Sequence, residues 1–286
     1  MGWSGGMDGV GTIADFRTHK SMAKTIAVEY RVYDGPDALA HAAAEHFLEG
    51  AQKTVAAKGK ARIAVSGGST PKLTFGLLAN PQEKFLQAMP WEHLEIFFVD
   101  ERTVPPTDKD SNYRMTREAM LDKVPLKPEQ VIRIEGELAP EEAAARYEST
   151  LRNHFKLEGA EVPRFDLLAL GMGDDGHTAS IFPHTAAIHE LGGLVYANQV
   201  PQKDTWRITL TWPVIIEAGD VFFLIGGKDK ADPLHRVLQG PYDPETLPSQ
   251  LIQPKNGKLL FLLDKDAAAL LPPTDANGVG RLEITR

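Results

Sequence analysis

The chain has 286 residues, 42% of them hydrophobic, no cysteine and a formal net charge of −8. That length suits one large α/β domain or two ordinary ones, and the composition is that of a globular chain able to bury a sizeable core. The missing cysteines exclude disulfides, thiolate catalysis and thiolate metal sites, which fits the cytoplasm; the negative charge argues against nucleic acid or an anionic membrane as partner, and no apolar run approaches the ~20 residues of a membrane span.

Residues 1–23 are Gly-rich and polar, without the apolar centre or cleavage site of a secretory signal. They are expected to form a disordered extension, followed by a single domain over residues 24–286. A strand is expected at 26–33, then an Ala-rich helix at 37–54 with Leu39, Ala43, Phe47 and Leu48 on one stripe. A strand at 63–66 leads to a helix at 71–78 that has Pro71 in its first turn. A strand at 94–99 is followed by a helix at 112–121 that opens on a capping side chain. Next come a strand at 131–134 and a helix at 140–155, whose Glu141 and Glu142 suit the positive end of the helix dipole. Strands at 165–170, 206–211 and 221–225 follow, then a helix at 230–238 closed by Gly240, and a strand at 258–263. The Pro-rich stretch 241–254 reads as a surface excursion. Strands alternating with helices in this way predict βαβ units and a mainly parallel sheet with helices on both faces. Ligands of such sheets bind at the carboxyl ends of the strands.

Four loops at strand ends carry chemistry. In Ser66-Gly67-Gly68-Ser69-Thr70-Pro71, two glycines allow close backbone approach, two hydroxyls donate, and the next helix offers its N-terminal N–H groups. That is a recipe for an anion site, although it is no P-loop, because no Gly-Lys-Ser/Thr occurs in the chain. The alternative is a tight strand-to-helix turn. Asp100-Glu101-Arg102 ends a very apolar strand and reads either as a solvated loop or as a polar cluster at a site, with Ser111-Asn112 as further donors.

The third loop runs from Gly171-Met172-Gly173-Asp174-Asp175-Gly176-His177 to Ser180. Its glycines match a dinucleotide fingerprint, but Asp174 and Asp175 put negative charge where a pyrophosphate would sit. Pro183 is also expected to cut the following helix short, and no strand at the required distance ends in an acid. A metal site from Asp174, Asp175, His177 and His184 has no recognisable ligand spacing. A serine triad on Ser69 lacks the closing glycine of a nucleophile elbow. The better reading is an acid–base pair, with Asp175 orienting the His177 imidazole; a helix-capping Asp beside a surface His is the bland alternative. The fourth element is cationic: Arg207 on the strand at 206–211, and Lys228 and Lys230 after Gly226-Gly227.

Taken together, these stretches resemble the 6-phosphogluconolactonases, in the wider group that includes glucosamine-6-phosphate deaminases. The segments that carry the likeness are Ser66 to Pro71, Asp100-Glu101-Arg102 with Ser111-Asn112, Gly171 to Pro183, Arg207-Ile208-Thr209-Leu210-Thr211, and Gly227 to Lys230. The resemblance implies a Rossmann-like sheet that uses no nucleotide, metal or other cofactor. It implies a carboxylic ester hydrolase acting on a phosphosugar lactone, 6-phosphoglucono-δ-lactone. Gly67, Gly68, Ser69 and Thr70 match its phosphate loop, Arg102 its substrate-binding arginine, and Arg207 and Lys230 its distal cations. Lys230 is preferred to Lys228 because a small residue, Ala231, follows it. His177 matches the catalytic base and Asp175 its associated acid; Asp100 is placed with the substrate-binding set, either touching the substrate or supporting Arg102. Arg102 and the loop N–H groups both stay open as donors to the oxyanion.

The related deaminases carry an acid shortly after the His loop, where this chain has Ser180-Ile181-Phe182-Pro183, and an aromatic residue where it has Arg102. Both departures favour the lactonase. A sugar-phosphate sensor would need a DNA-binding helix pair, for which residues 1–23 are too short. Of oligomeric states, a monomer is favoured.

Overall fold

The computed structural model describes residues 25–285, so the extension expected at 1–23 lies outside the described residues. The strands are β1 (Thr25–Tyr33), β2 (Ala61–Val65), β3 (Leu94–Phe98), β4 (Asp100–Arg102), β5 (Val131–Ile132), β6 (Leu167–Leu170), β7 (Val195–Val200), β8 (Thr205–Leu210), β9 (Asp220–Ile225), β10 (Lys258–Asp264) and β11 (Val279–Thr285). The helices of eight or more residues are α1 (Pro36–Lys58), α2 (Ser69–Leu78), α3 (Asn112–Ala119), α4 (Pro140–Phe155) and α5 (Ala231–Gln239).

Local chemistry explains the helix ends. Helix α1 starts on Pro36, buries Leu39, Ala43, Phe47 and Ala51 at helical spacing, and stops at Gly59, where φ is 79°. The cap of α3 is Ser111, whose Oγ accepts from the Arg114 N–H at 3.0 Å, one residue before the expected start.

Among the described residues, eight strands form one sheet in the order β11-β1-β10-β9-β6-β2-β3-β5, parallel throughout except for β11 against β1. Every residue of β6 and nearly every residue of β2, β9 and β10 is buried, so both faces of the sheet are covered there. From β2 the chain moves outward through β3 to β5, then returns to place β6 on the other side of β2. The crevice between β2 and β6 is therefore the topological switch point, where open α/β sheets bind ligands. The glycine loop follows β2 and the His177 loop follows β6.

Several expectations are corrected. The strand at 206–211 exists as β8, but it lies in a separate antiparallel sheet, β4-β8-β7, rather than in the parallel one. Strands β4, β7 and β11 were not expected. The strand at 131–134 shrinks to two residues, and the one at 165–170 starts at Leu167. No helix follows His177: an isolated bridge joins Thr178 and Ile181, and the next helical turn is Ala186–Ile188. The Pro-rich stretch is no surface excursion throughout, because residues 247–252 are buried. There Ser249 donates from both N–H (3.0 Å) and Oγ (2.8 Å) to the Gly176 carbonyl, which buttresses the His177 loop from below.

Candidate active site

The small sheet forms the second wall of the crevice. Pairing across it sets Arg102 opposite Arg207 and Asp100 opposite Thr209. Residues two apart on a strand share a face, so these four side chains point the same way. The two sheets are joined through Val99, which donates to the Val65 carbonyl and accepts from the Leu210 N–H (2.9 and 2.8 Å). Residues 67–70, Asp100, Arg102, His177, Arg207 and Lys230 all line one cleft of about 350 Å³. Asp175 stands behind His177, outside the lining, and Lys228 is not among the lining residues.

On the glycine loop, Ser66 Oγ donates to the Ala169 carbonyl at 2.8 Å, tying the end of β2 to the end of β6. A Cβ at Gly67 would overlap the Asn112 carboxamide, so only glycine lets α3 approach this closely. Asn112 Nδ2 in turn donates to the Asp100 carbonyl (3.0 Å) and to Asp100 Oδ1 (3.3 Å). Asp100 Oδ2 accepts from Ser180 Oγ at 2.6 Å, so this buried carboxylate bridges α3 and the His177 loop.

Glu101, the neighbour pointing away, accepts from Ser111 Oγ and from the N–H groups of Arg102, Asn112 and Tyr113 at 2.7–3.0 Å. It anchors the start of α3. Burial pushes its carboxyl up against the opposing pull of those backbone donors.

Around His177 the geometry fixes the tautomer. Asp175 Oδ1 faces His177 Nδ1 at 2.5 Å and also accepts the His177 backbone N–H at 3.0 Å. Partial burial opposes ionisation of Asp175, but the hydrogen bonds and charge attraction of His177 outweigh it and bring the carboxyl down to about 2. An ionised carboxylate only accepts, so Nδ1 carries the proton and a neutral ring keeps its lone pair on Nε2. Gly173 allows this approach, because a Cβ there would collide with the imidazole. The other support is Phe182, stacked on the His177 ring at 4.0 Å and 22°.

The two arginines of the cleft bond to neutral acceptors. The Arg102 guanidinium donates to the Asp110 carbonyl, and Arg207 donates to Thr205 Oγ1 and the Trp206 carbonyl, each at 3.0 Å. Burial, together with the charge of Arg102, lowers the pKa of Arg207. Two guanidiniums opposite each other at a cleft make an electrostatic demand that an anion would meet. Lys230 is paired with Asp229 at 2.9 Å. Among the described residues, no group of three or more His, Asp or Glu is arranged to hold a metal ion.

Sequence reasoning missed Phe182 and Lys203 as lining residues, and gave Ser180 no role of its own. Ser180 and Phe182 lie inside the quoted His-loop motif. Lys203 had no signal beyond standing four residues before Arg207, in a turn between two strands whose pairing was not foreseen.

The model of the family described as glucosamine-6-phosphate isomerases/6-phosphogluconolactonase matches residues 34–261. The chain belongs to this family. It is similar to a 6-phosphogluconolactonase of Synechocystis sp., at 41% identity over 77% of this chain and 89% of the relative. Among solved structures it resembles the 6-phosphogluconolactonase of Trypanosoma brucei, with a TM-score of 0.76 and 30% identity over 85% of this chain and 98% of the other. A monomeric glucosamine-6-phosphate deaminase also superposes, with a TM-score of 0.70 over 84% of this chain and 99% of the other; at 18% identity that shows a common fold alone. Both branches of the family thus share the scaffold, and the cleft has to distinguish them.

Proposed function

We propose that the cleft hydrolyses 6-phosphoglucono-δ-lactone to 6-phosphogluconate, a step of the oxidative pentose phosphate pathway. The observation that carries this reading is an aspartate-bound imidazole sharing one cleft with a glycine-rich loop and a facing pair of guanidiniums. The phosphate binds to the backbone and hydroxyls of residues 67–70 with Arg207 and Lys230, and this remote binding energy orients the lactone carbonyl toward His177. Neutral His177 takes a proton from water at Nε2 as the water oxygen bonds to C1. The carbonyl oxygen becomes an oxyanion, met by Arg102 or by loop N–H groups. Collapse re-forms the carbonyl and breaks the bond from C1 to the ring oxygen, which takes the proton from His177. The acid so formed then ionises to the carboxylate. Asp175 holds the ring and stabilises its charged form, while the lone pairs of Asp100 left over by Ser180 and Asn112 accept from sugar hydroxyls.

The deaminase reading is disfavoured by Ser180-Ile181-Phe182-Pro183, which offers no carboxylate beside His177. We favour a monomer as the acting form. No helix among the described residues is long and apolar enough to cross a membrane, and we place the reaction in the cytoplasm. Incubation with freshly made lactone and, separately, with glucosamine 6-phosphate tests the reading. Acid release from the lactone above an enzyme-free control is expected, without ammonia from the amino sugar. Ammonia release with lactone hydrolysis at the control rate would overturn it.

A further inference from the structure

Beyond Arg207 and Lys230 at the phosphate and Arg102 at the oxyanion, the described residues put one further cation in the cleft. Lys203 lies in the helical turn Pro201–Lys203 between β7 and β8 and lines the same cleft. Its turn is docked on the His177 loop, because Gln202 Nε2 donates to the Pro183 carbonyl at 2.6 Å. Its Nζ stands 5.7 Å from the centroid of Phe182, the ring on which His177 stacks. Lys203 therefore belongs to the reacting end of the cleft.

Its partners differ from those of the other cations. Arg102, Arg207 and Lys230 each bond to a protein carbonyl, hydroxyl or carboxylate. Among the described residues, Lys203 has neither an ion pair nor a hydrogen bond to another side chain, only the face of Phe182. The one carboxylate lining the cleft, Asp100, has both oxygens engaged by Ser180 and Asn112. An exposed ammonium over the ring on which His177 stacks, without an ion pair among the described residues, is available to an anion formed at the reacting carbon.

We propose that Lys203 is a specificity residue that recognises the carboxylate generated at C1, so that the cleft distinguishes an aldonate 6-phosphate from a polyol phosphate of the same length. The inference rests on the lactonase reading of the cleft. Hydrolysis turns a neutral ester into a carboxylate, so the ligand gains one negative charge during the reaction. Lys203 answers that added charge, whereas Arg207 and Lys230 answer the phosphate present from the start.

The test uses 6-phosphogluconate and glucitol 6-phosphate, which differ only in a carboxylate or a hydroxymethyl group at C1. Their dissociation constants are measured by calorimetry at low salt for the full chain, Lys203→Met, Lys203→Arg and Arg207→Ala. Lys203→Met should weaken 6-phosphogluconate roughly 5- to 10-fold, as expected for a partly solvated ion pair, and leave glucitol 6-phosphate unchanged. Lys203→Arg should retain most of the preference. Equal weakening of both ligands, or of neither, by Lys203→Met would overturn the proposal. Arg207→Ala should weaken both ligands; if it weakens neither, the phosphate assignment beneath the proposal fails instead, and the two failures are distinguishable.

Discussion

Asp175 and His177 share one short hydrogen bond, and the proposed mechanism makes the charge on that pair the control of the site's pH behaviour. With its carboxyl at about 2, Asp175 stays ionised at any working pH and, in the proposed mechanism, presents a fixed negative charge to the base. Asp175→Asn removes the charge that stabilises the imidazolium. The acid limb of the kcat profile should then move to lower pH while kcat itself falls, and rates measured between pH 5 and 8 would show both effects. An unmoved limb would mean that Asp175 only shapes the loop. The sign for stability follows from the same depressed carboxyl. The pair stabilises the fold above the unfolded carboxyl value of about 3.9, and that contribution is lost as pH falls through about 2. The urea midpoints of parent and Asn variant should accordingly converge between pH 4 and pH 2. These two residues were legible in the sequence because they sit two apart in one contiguous glycine-bounded loop. Lys203 was not, since its place at the cleft depends on Gln202 reaching Pro183 and on a ring contact with Phe182.

The secondary-structure elements show where local pattern stops being sufficient. Strand β5 pairs with β3 only at Ile96 and Phe97, and the outer backbone groups of Phe98 are taken up by a side chain instead. The Tyr147 hydroxyl of α4 accepts from the Phe98 N–H at 3.0 Å and donates to the Phe98 carbonyl at 2.9 Å. Burial pushes that phenol well above its ordinary range. Tyr147→Phe leaves both backbone groups unpaired and should cost about 1–3 kcal/mol in a denaturant titration, with KM little changed because the hydroxyl does not line the cleft. The strand expected at 131–134 was apolar enough to extend, yet the hydroxyl substitutes for its last two residues. Strand β4 was unreadable for another reason: Asp-Glu-Arg has no strand pattern, and only pairing with β8 makes it one. Composition marked 241–254 as a loop, but it could not show that Leu247, Leu251 and Ile252 are buried, Leu247 against Gly176 of the His177 loop.

Across the whole molecule, function follows from two sheets meeting. The parallel sheet brings the glycine loop and the His177 loop to its switch point, an arrangement that strand–helix alternation made legible. The antiparallel sheet sets the paired arginines and Asp100 against that crevice, and this depends on long-range register that no local stretch encodes. A chain of net charge −8 thereby gathers, among its described residues, four cations and a single carboxylate around one cleft, which attracts an anionic sugar despite the overall field. The direct trial of His177 as the general base is steady-state hydrolysis of fresh lactone by His177→Ala, corrected for spontaneous hydrolysis, with 6-phosphogluconate affinity measured in parallel. A fall in kcat of about 10²- to 10⁴-fold with product affinity retained is the predicted result; a kcat close to that of the parent would contradict it.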